Sequence, residues 1–250
     1  MRSEKLARQE HIAGLSVTLA GGVDGNGGGD GPLVVLLHGY GAPGTDLVPL
    51  AHAVAAPAGT RFAFPAAPHS LGPAMFGDSR AWWHIDWNAR QTQIERDGMM
   101  DLSGETPEGM EEARHQVTSL LDTLETRLGV TPERTVIGGF SQGAMLACDI
   151  VLHDPRPFSG AVFMSPTLLA EQEWSARAPK RAGLPVLMSH GRTDPVLPFP
   201  MSVRLCDLLT GAGLAIHFVP FHGGHEIPSE VTGALGDFLG NRFGGGGDGT

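Results

Sequence analysis

The chain has 250 residues, of which 41% are hydrophobic and 18% charged; that suits one sizeable α/β core and is too apolar for a disordered segment. Seventeen basic residues against 27 acidic ones give a net charge of −10, which argues against nucleic acid or an anionic membrane surface as partner. The two cysteines, Cys148 and Cys206, cannot build a disulfide framework, and no apolar run reaches the roughly 18 residues of a membrane span.

From Met1 to His11 there is no apolar core of the kind a secretory signal needs, so the expected setting is the cytoplasm. Leu15 to Leu19 is the first predicted strand. Seven glycines between Gly21 and Gly31 then read as a flexible loop. Leu33 to Leu37 (LVVLL) is apolar throughout, as expected of a strand buried on both faces. Arg61 to Phe64 is a short third strand. Residues 65–105 fit no regular element and are expected to form a long loop or lid.

Thr106 and Pro107 are placed to open a helix as cap and first-turn proline. Its apolar face carries Ala113, Val117, Leu120, Leu121, Leu124 and Leu128. Thr135 to Gly138 reads as a strand, and about Gln142 to His153 as a helix. Strands follow at Ser159 to Met164, Leu184 to Met188 and Ala215 to Val219, and a helix from about Ser229 to Leu239 closes the pattern. Cys148 and Cys206 fall inside helical patterns and are expected to be buried thiols. This alternation predicts an α/β fold, with a mostly parallel sheet and helices on both faces. No linker divides it, so residues 1–243 are expected to form one domain and 244–250 a flexible tail.

The sharpest signal is Gly139-Phe140-Ser141-Gln142-Gly143, a G-x-S-x-G pattern between a predicted strand and a predicted helix. In so tight a turn a flanking side chain would strike the neighbouring strand and helix, and glycine on both sides removes that collision. Ser141 would project above the sheet, at a helix N-terminus whose dipole favours negative charge. A serine hydroxyl needs a base. His225 follows the last strand; His222, closer to the strand end, is the competing candidate. Asp194 follows the preceding strand and is preferred as orienting carboxylate over Glu226, which adjoins His225 in sequence. All three fall just past strand ends, where open α/β sheets place their sites. The backbone N–H of Gln142 is the first candidate oxyanion donor. Tyr40, in the glycine-rich turn after LVVLL, supplies the second, and its phenol is a candidate substrate contact. Candidate acyl-pocket residues are Met75, Phe76, Trp82 and Trp83 from the long loop, with Leu168, Leu169, Val196 and Leu197 after strand ends.

His222, His225 and Glu226 lack the helical H-E-x-x-H spacing of a metal site, and the first glycine tract lacks a phosphate-loop lysine. No metal and no cofactor are expected.

Taken together, LHGYG, FPAAP, GFSQGA, SHGRTDPVLP and FHGGHEIP resemble the carboxylesterase, lysophospholipase and acyl-protein thioesterase family, from about Leu33 to Leu239 and in family order. The resemblance implies an α/β-hydrolase fold. It also implies cofactor-free hydrolysis of short- to medium-chain esters or thioesters, often by homodimers. Ser141, Asp194 and His225 would then be the catalytic triad, Gln142 and Tyr40 the oxyanion amides, and Trp82-Trp83 the aromatic segment near the acyl group. In two places the sequence departs from the family pattern: His84 stands where an acidic residue more often follows the aromatic pair, and the stretch to Glu105 is longer and more polar. The expected activity is a serine carboxylesterase. The alternatives are a lysophospholipase, an acyl-protein thioesterase, or a ligand sensor on the same fold.

Overall fold

A strand that is apolar at every position must be covered on both sides. The computed structural model, which describes residues 7–72 and 77–244, shows how this is met. In the strand Leu33–Leu37 every side chain is buried. Leu33, Val35 and Leu37 enter one core, and Val34 and Leu36 enter the other. The same alternation recurs along the central strands: Ala161 and Phe163 face the first core, and Val162 and Met164 the second. Burying each such Val, Leu or Phe stabilises the fold by about 1.5–3 kcal/mol over leaving it in water.

The elements run β1 (Ala7–Ile12), β2 (Leu15–Gly22), β3 (Asn26–Gly28), β4 (Leu33–Leu37), α1 (Leu50–Ala53) and β5 (Arg61–Pro65). Next come β6 (His69–Ser70), β7 (Arg80–Ala81), α2 (Trp87–Asp97), α3 (Met110–Leu128), β8 (Thr135–Phe140) and α4 (Gln142–His153). The chain continues through β9 (Gly160–Met164), α5 (Glu171–Arg177), β10 (Pro185–Gly191), α6 (Phe199–Gly211), β11 (Ala215–Phe221) and α7 (Ser229–Phe243). Among the described residues one large sheet has the order β1-β2-β5-β4-β8-β9-β10-β11, with β3 paired to β2. From β5 to β11 all neighbours are parallel; β1 and β2 are antiparallel additions at one edge. Apolar residues of α3, α4, α5 and α6 pack into the first core, and those of α1 and α7 into the second. This is the α/β-hydrolase fold, with helices on both faces of a mostly parallel sheet. No helix among the described residues is long and apolar enough to cross a membrane.

Four sequence expectations need correction. The glycine tract is folded, not a free loop. Asn26–Gly28 pairs with β2, the Asp24 carboxylate accepts the N–H groups of Asn26 and Gly28, and the buried Arg61 guanidinium donates to the carbonyls of Gly29, Gly31 and Leu128. Helix α3 starts at Met110, not Thr106. Gly109, at φ 87°, turns the chain into it, and Ala113, Val117, Leu120, Leu121 and Leu124 form its buried face as its period requires. Residues 65–105 hold the β6–β7 hairpin and the helix α2, capped by the Asp86 carboxylate on the Ala89 N–H and ended by Gly98 at φ 78°. Cys206 is only half-buried, unlike Cys148. Met75 and Phe76, and the predicted tail beyond Gly244, lie outside the described residues.

Candidate active site

Strand β8 runs into α4 through a single residue, Ser141, held at φ 55° and ψ −120°. A side chain in that region costs on the order of 1–3 kcal/mol, so the surroundings must impose it. They do so by close approach. A Cβ on Gly143 would lie 2.0 Å from the Leu37 carbonyl oxygen and 2.6 Å from that of His38; one on Gly139 would lie 2.5 Å from the Leu37 oxygen and from the Gly143 backbone. The Ser141 N–H donates to the Met164 carbonyl at 2.8 Å, tying the turn to β9.

Parallel strands bring the other groups to the same sheet edge. Ser141 Oγ lies 2.9 Å from Nε2 of His225, in the loop after β11. Nδ1 of His225 donates to Asp194, in the loop after β10, at 2.6 Å. The other Asp194 oxygen accepts the N–H groups of Val196 and Leu197 at 2.8 and 2.9 Å. Burial pushes the Asp194 carboxyl up, but His225 and the Leu197 and Val196 N–H groups outweigh it and hold it below the ordinary carboxylate value. The buried His190 ring lies 3.3 Å from the same carboxylate and donates to the Leu197 carbonyl. His225 thus presents a bare Nε2 to the serine hydroxyl, in the arrangement that lets an imidazole accept its proton. The competing groups lie elsewhere: His222 is exposed, and Glu226 accepts the Gly224 N–H at 3.2 Å.

Two backbone N–H groups beside Ser141 have no acceptor among the described residues. They are those of Gln142, at the first turn of α4, and Tyr40, in the turn after β4. The buried Gln142 side chain accepts the Trp82 N–H at 3.0 Å and donates to the Trp83 carbonyl at 2.8 Å. It clamps the aromatic pair against the start of α4. Above Ser141 opens a cavity of about 550 Å³, with Ser141, Gln142 and His225 in its wall.

The family model for phospholipases and carboxylesterases matches residues 28–242. The chain belongs to the phospholipase/carboxylesterase family. It is 29% identical over 214 residues to a probable carboxylesterase of Oryza sativa subsp. japonica, covering 84% of this chain and 77% of that one. It is 28% identical over 185 residues to acyl-protein thioesterase 1 of Saccharomyces cerevisiae, covering 68% and 74%. Among solved structures it is similar to esterase PE8, with a TM-score of 0.74, 28% identity and coverage of 91% and 99%.

In this member of the phospholipase/carboxylesterase family the cavity wall holds Tyr40, Trp83, Leu169, Val196 and Leu197 from the sequence candidates. Trp82 and Leu168 are fully buried and do not line it. The Trp82 indole N–H donates instead to the His38 carbonyl at 2.9 Å. Met75 and Phe76 lie outside the described residues. Sequence reasoning missed much of the wall: Ile85, Trp87, Met100 and Leu102 from the α2 segment, and Met145 from α4. Arg90 and Glu105, also in the wall, form a two-pronged ion pair at 2.7 and 2.6 Å that ties α2 to the chain beyond it. Asp86 four residues before Arg90, with Gly98 after the helix, was the available signal for α2.

Proposed function

We propose that this protein is a serine carboxylesterase that cleaves short- to medium-chain carboxylic esters through an acyl-enzyme on Ser141. Ser141 Oγ attacks the acyl carbonyl carbon as His225 Nε2 takes its proton. Asp194 keeps the His225 proton on Nδ1 and stabilises the imidazolium that forms. The carbonyl oxygen becomes an oxyanion, which the Tyr40 and Gln142 N–H groups receive. The intermediate collapses, the C–O bond to the alcohol breaks, and His225 protonates the leaving oxygen. Water then attacks the acyl-enzyme by the same route and releases the acid. One observation carries this reading: a continuous Ser141–His225–Asp194 hydrogen-bond chain beside two N–H donors without an acceptor among the described residues, at the wall of a mostly apolar cavity. Trp83, Leu169, Val196 and Leu197 are assigned to the acyl wall.

One observation favours the alternative of a lysophospholipase or acyl-protein thioesterase. The cavity of about 550 Å³ is far larger than an acetyl group requires and lies within the roughly 300–1,000 Å³ of pockets for drug-sized ligands. Turnover of p-nitrophenyl esters of increasing acyl length, with Ser141→Ala as control, tests both readings. A Ser141-dependent optimum at short to medium chains supports the carboxylesterase. An optimum at long chains moves the assignment to the alternative, and absence of Ser141-dependent turnover on every chain overturns both. The cytoplasmic setting and the homodimer belong to this same proposal, and cell fractionation and sedimentation check them.

A further inference from the structure

His38 is buried, charged in neither of its bonds, and takes no part in the proton transfers above, yet it sits one residue from Gly39-Tyr40. Its Nε2 accepts the Ala67 N–H at 2.9 Å, so that nitrogen carries no proton. The ring proton is therefore on Nδ1, which donates to the Gly39 carbonyl oxygen at 2.7 Å. Only this one tautomer satisfies both bonds. The Gly39 carbonyl and the Tyr40 N–H belong to the same planar trans peptide, on opposite sides of it. Fixing the oxygen therefore fixes where the N–H points. Among the described residues the turn itself adds only a long bond to that oxygen, from the Ala42 N–H at 3.3 Å. The His38 backbone is anchored independently, by the Trp82 indole N–H on its carbonyl at 2.9 Å.

We propose that His38 is a positioning residue: with its proton on Nδ1, it locks the Gly39–Tyr40 peptide so that the Tyr40 N–H faces the oxyanion. This rests on the acyl-enzyme reading above. Burial, the largest influence, drives the imidazole pKa down to about 4, and the nearby Arg80 charge lowers it too, against the pull of the Gly39 carbonyl. The ring thus keeps the required form at neutral pH.

Two amide substitutions separate the two bonds. The Asn amide nitrogen takes the place of Nδ1 and the Gln amide oxygen that of Nε2. His38→Asn therefore retains the donor to Gly39 and loses the acceptor for Ala67, and His38→Gln does the reverse. The expected result is a reversal of order between activity and stability. His38→Gln loses about 10–100-fold in kcat with KM unchanged, less than outright removal of an oxyanion donor. His38→Asn keeps kcat within roughly threefold but melts at a lower temperature. Affinity for a trifluoromethyl ketone, whose Ser141 hemiketal places an oxyanion on the same N–H, falls with kcat in the Gln variant and holds in the Asn variant. Equal losses of kcat in both variants, or an unimpaired Gln variant, overturn the proposal. Should His38→Asn fail to fold, ¹⁵N shifts of His38 in the unaltered protein decide it: a protonated Nδ1 and bare Nε2 sustain it, and the opposite tautomer overturns it. Absence of Ser141-dependent turnover in the unaltered protein is a separate result and defeats the underlying esterase reading instead.

Discussion

The turn from β8 into α4 and the segment from Trp83 to Glu105 wall the same cavity, and they are held in place by different forces. In α4 every residue from Gln142 to Leu152 is buried. In α2 none is, and Trp87 and Ile94 are among its exposed side chains. Ser141 is placed by backbone packed against backbone, with no room for a Cβ at Gly139 or Gly143. The α2 wall is placed by a few polar ties: the Asp86 cap, the Arg90–Glu105 pair, the Gln93 amide on the Asp101 carbonyl, and the edge contact of Tyr40 with Trp87. The proposed chemistry at Ser141 demands fixed atoms, whereas a cavity wall held by few ties can tolerate movement. Changes in the first region should act as all or none, and changes in the second should be graded.

The largest effect expected is that of Ser141→Ala, which should lower kcat about a millionfold, or about 8 kcal/mol of barrier. Steady-state assays read it, and a residual rate within tenfold of the original would remove Ser141 from the chemistry. Next is Gly143→Ala. Its Cβ meets carbonyl oxygens that cannot swing aside, so a loss of about 3 kcal/mol and a Tm drop of roughly 6–12 °C are expected by calorimetry. An unchanged Tm would mean that the turn is more compliant than its packing indicates.

Acid should weaken the same rigid region. Unfolded, the His38 imidazole titrates near 6.5; folded, at about 4. Between these values the unfolded chain binds the extra proton, so stability is full above about pH 6.5 and declines as pH falls, by about 1.4 kcal/mol per pH unit and about 3 kcal/mol in all. Asp194 acts in a lower window: its depressed carboxyl stabilises the fold above 3.8, and that contribution is lost as pH falls further. Urea melts at pH 7, 6 and 5 measure the slope. His38→Asn should flatten it, and an unchanged slope would locate the acid sensitivity elsewhere.

The smallest effect belongs to α2. Arg90→Gln cuts the tie to Glu105, a partly exposed pair worth about 1 kcal/mol. Tm should move by only about 2–4 °C, whereas KM for the longer p-nitrophenyl esters should rise several-fold with kcat little changed. A collapse of kcat to the level of Ser141→Ala would erase the distinction between the two regions.

What the sequence determined by itself follows from local pattern. LVVLL is a short run apolar at every position between Gly31-Pro32 and His38-Gly39, the strand–elbow–helix run around Ser141 carries the G-x-S-x-G spacing, and the apolar face of α3 carries a helical period. Obligate glycines beside Ser141 mark a turn with no space, and the chain order Ser141, Asp194, His225 places each group past a strand end. Tertiary structure alone decided the rest. Helix α2 buries nothing, so it leaves no apolar period to read. The edge strand β1, polar at four of its six positions, is hard to read for the same reason. Arg61 turned a glycine-rich tract into folded structure through bonds to residues up to 67 positions away. The choice between Trp82 and Trp83 as cavity wall could not be read from adjacency, because neighbouring residues diverge only once Gln142, about 60 positions away, clamps their backbone against the start of α4. His38 carries no signal of its own, since its tautomer is set by Ala67 and Gly39 together, and the first of these reaches it only when β4 and β5 pair. Local periodicity is written in side-chain types, whereas a bond between distant residues exists only after the sheet has assembled.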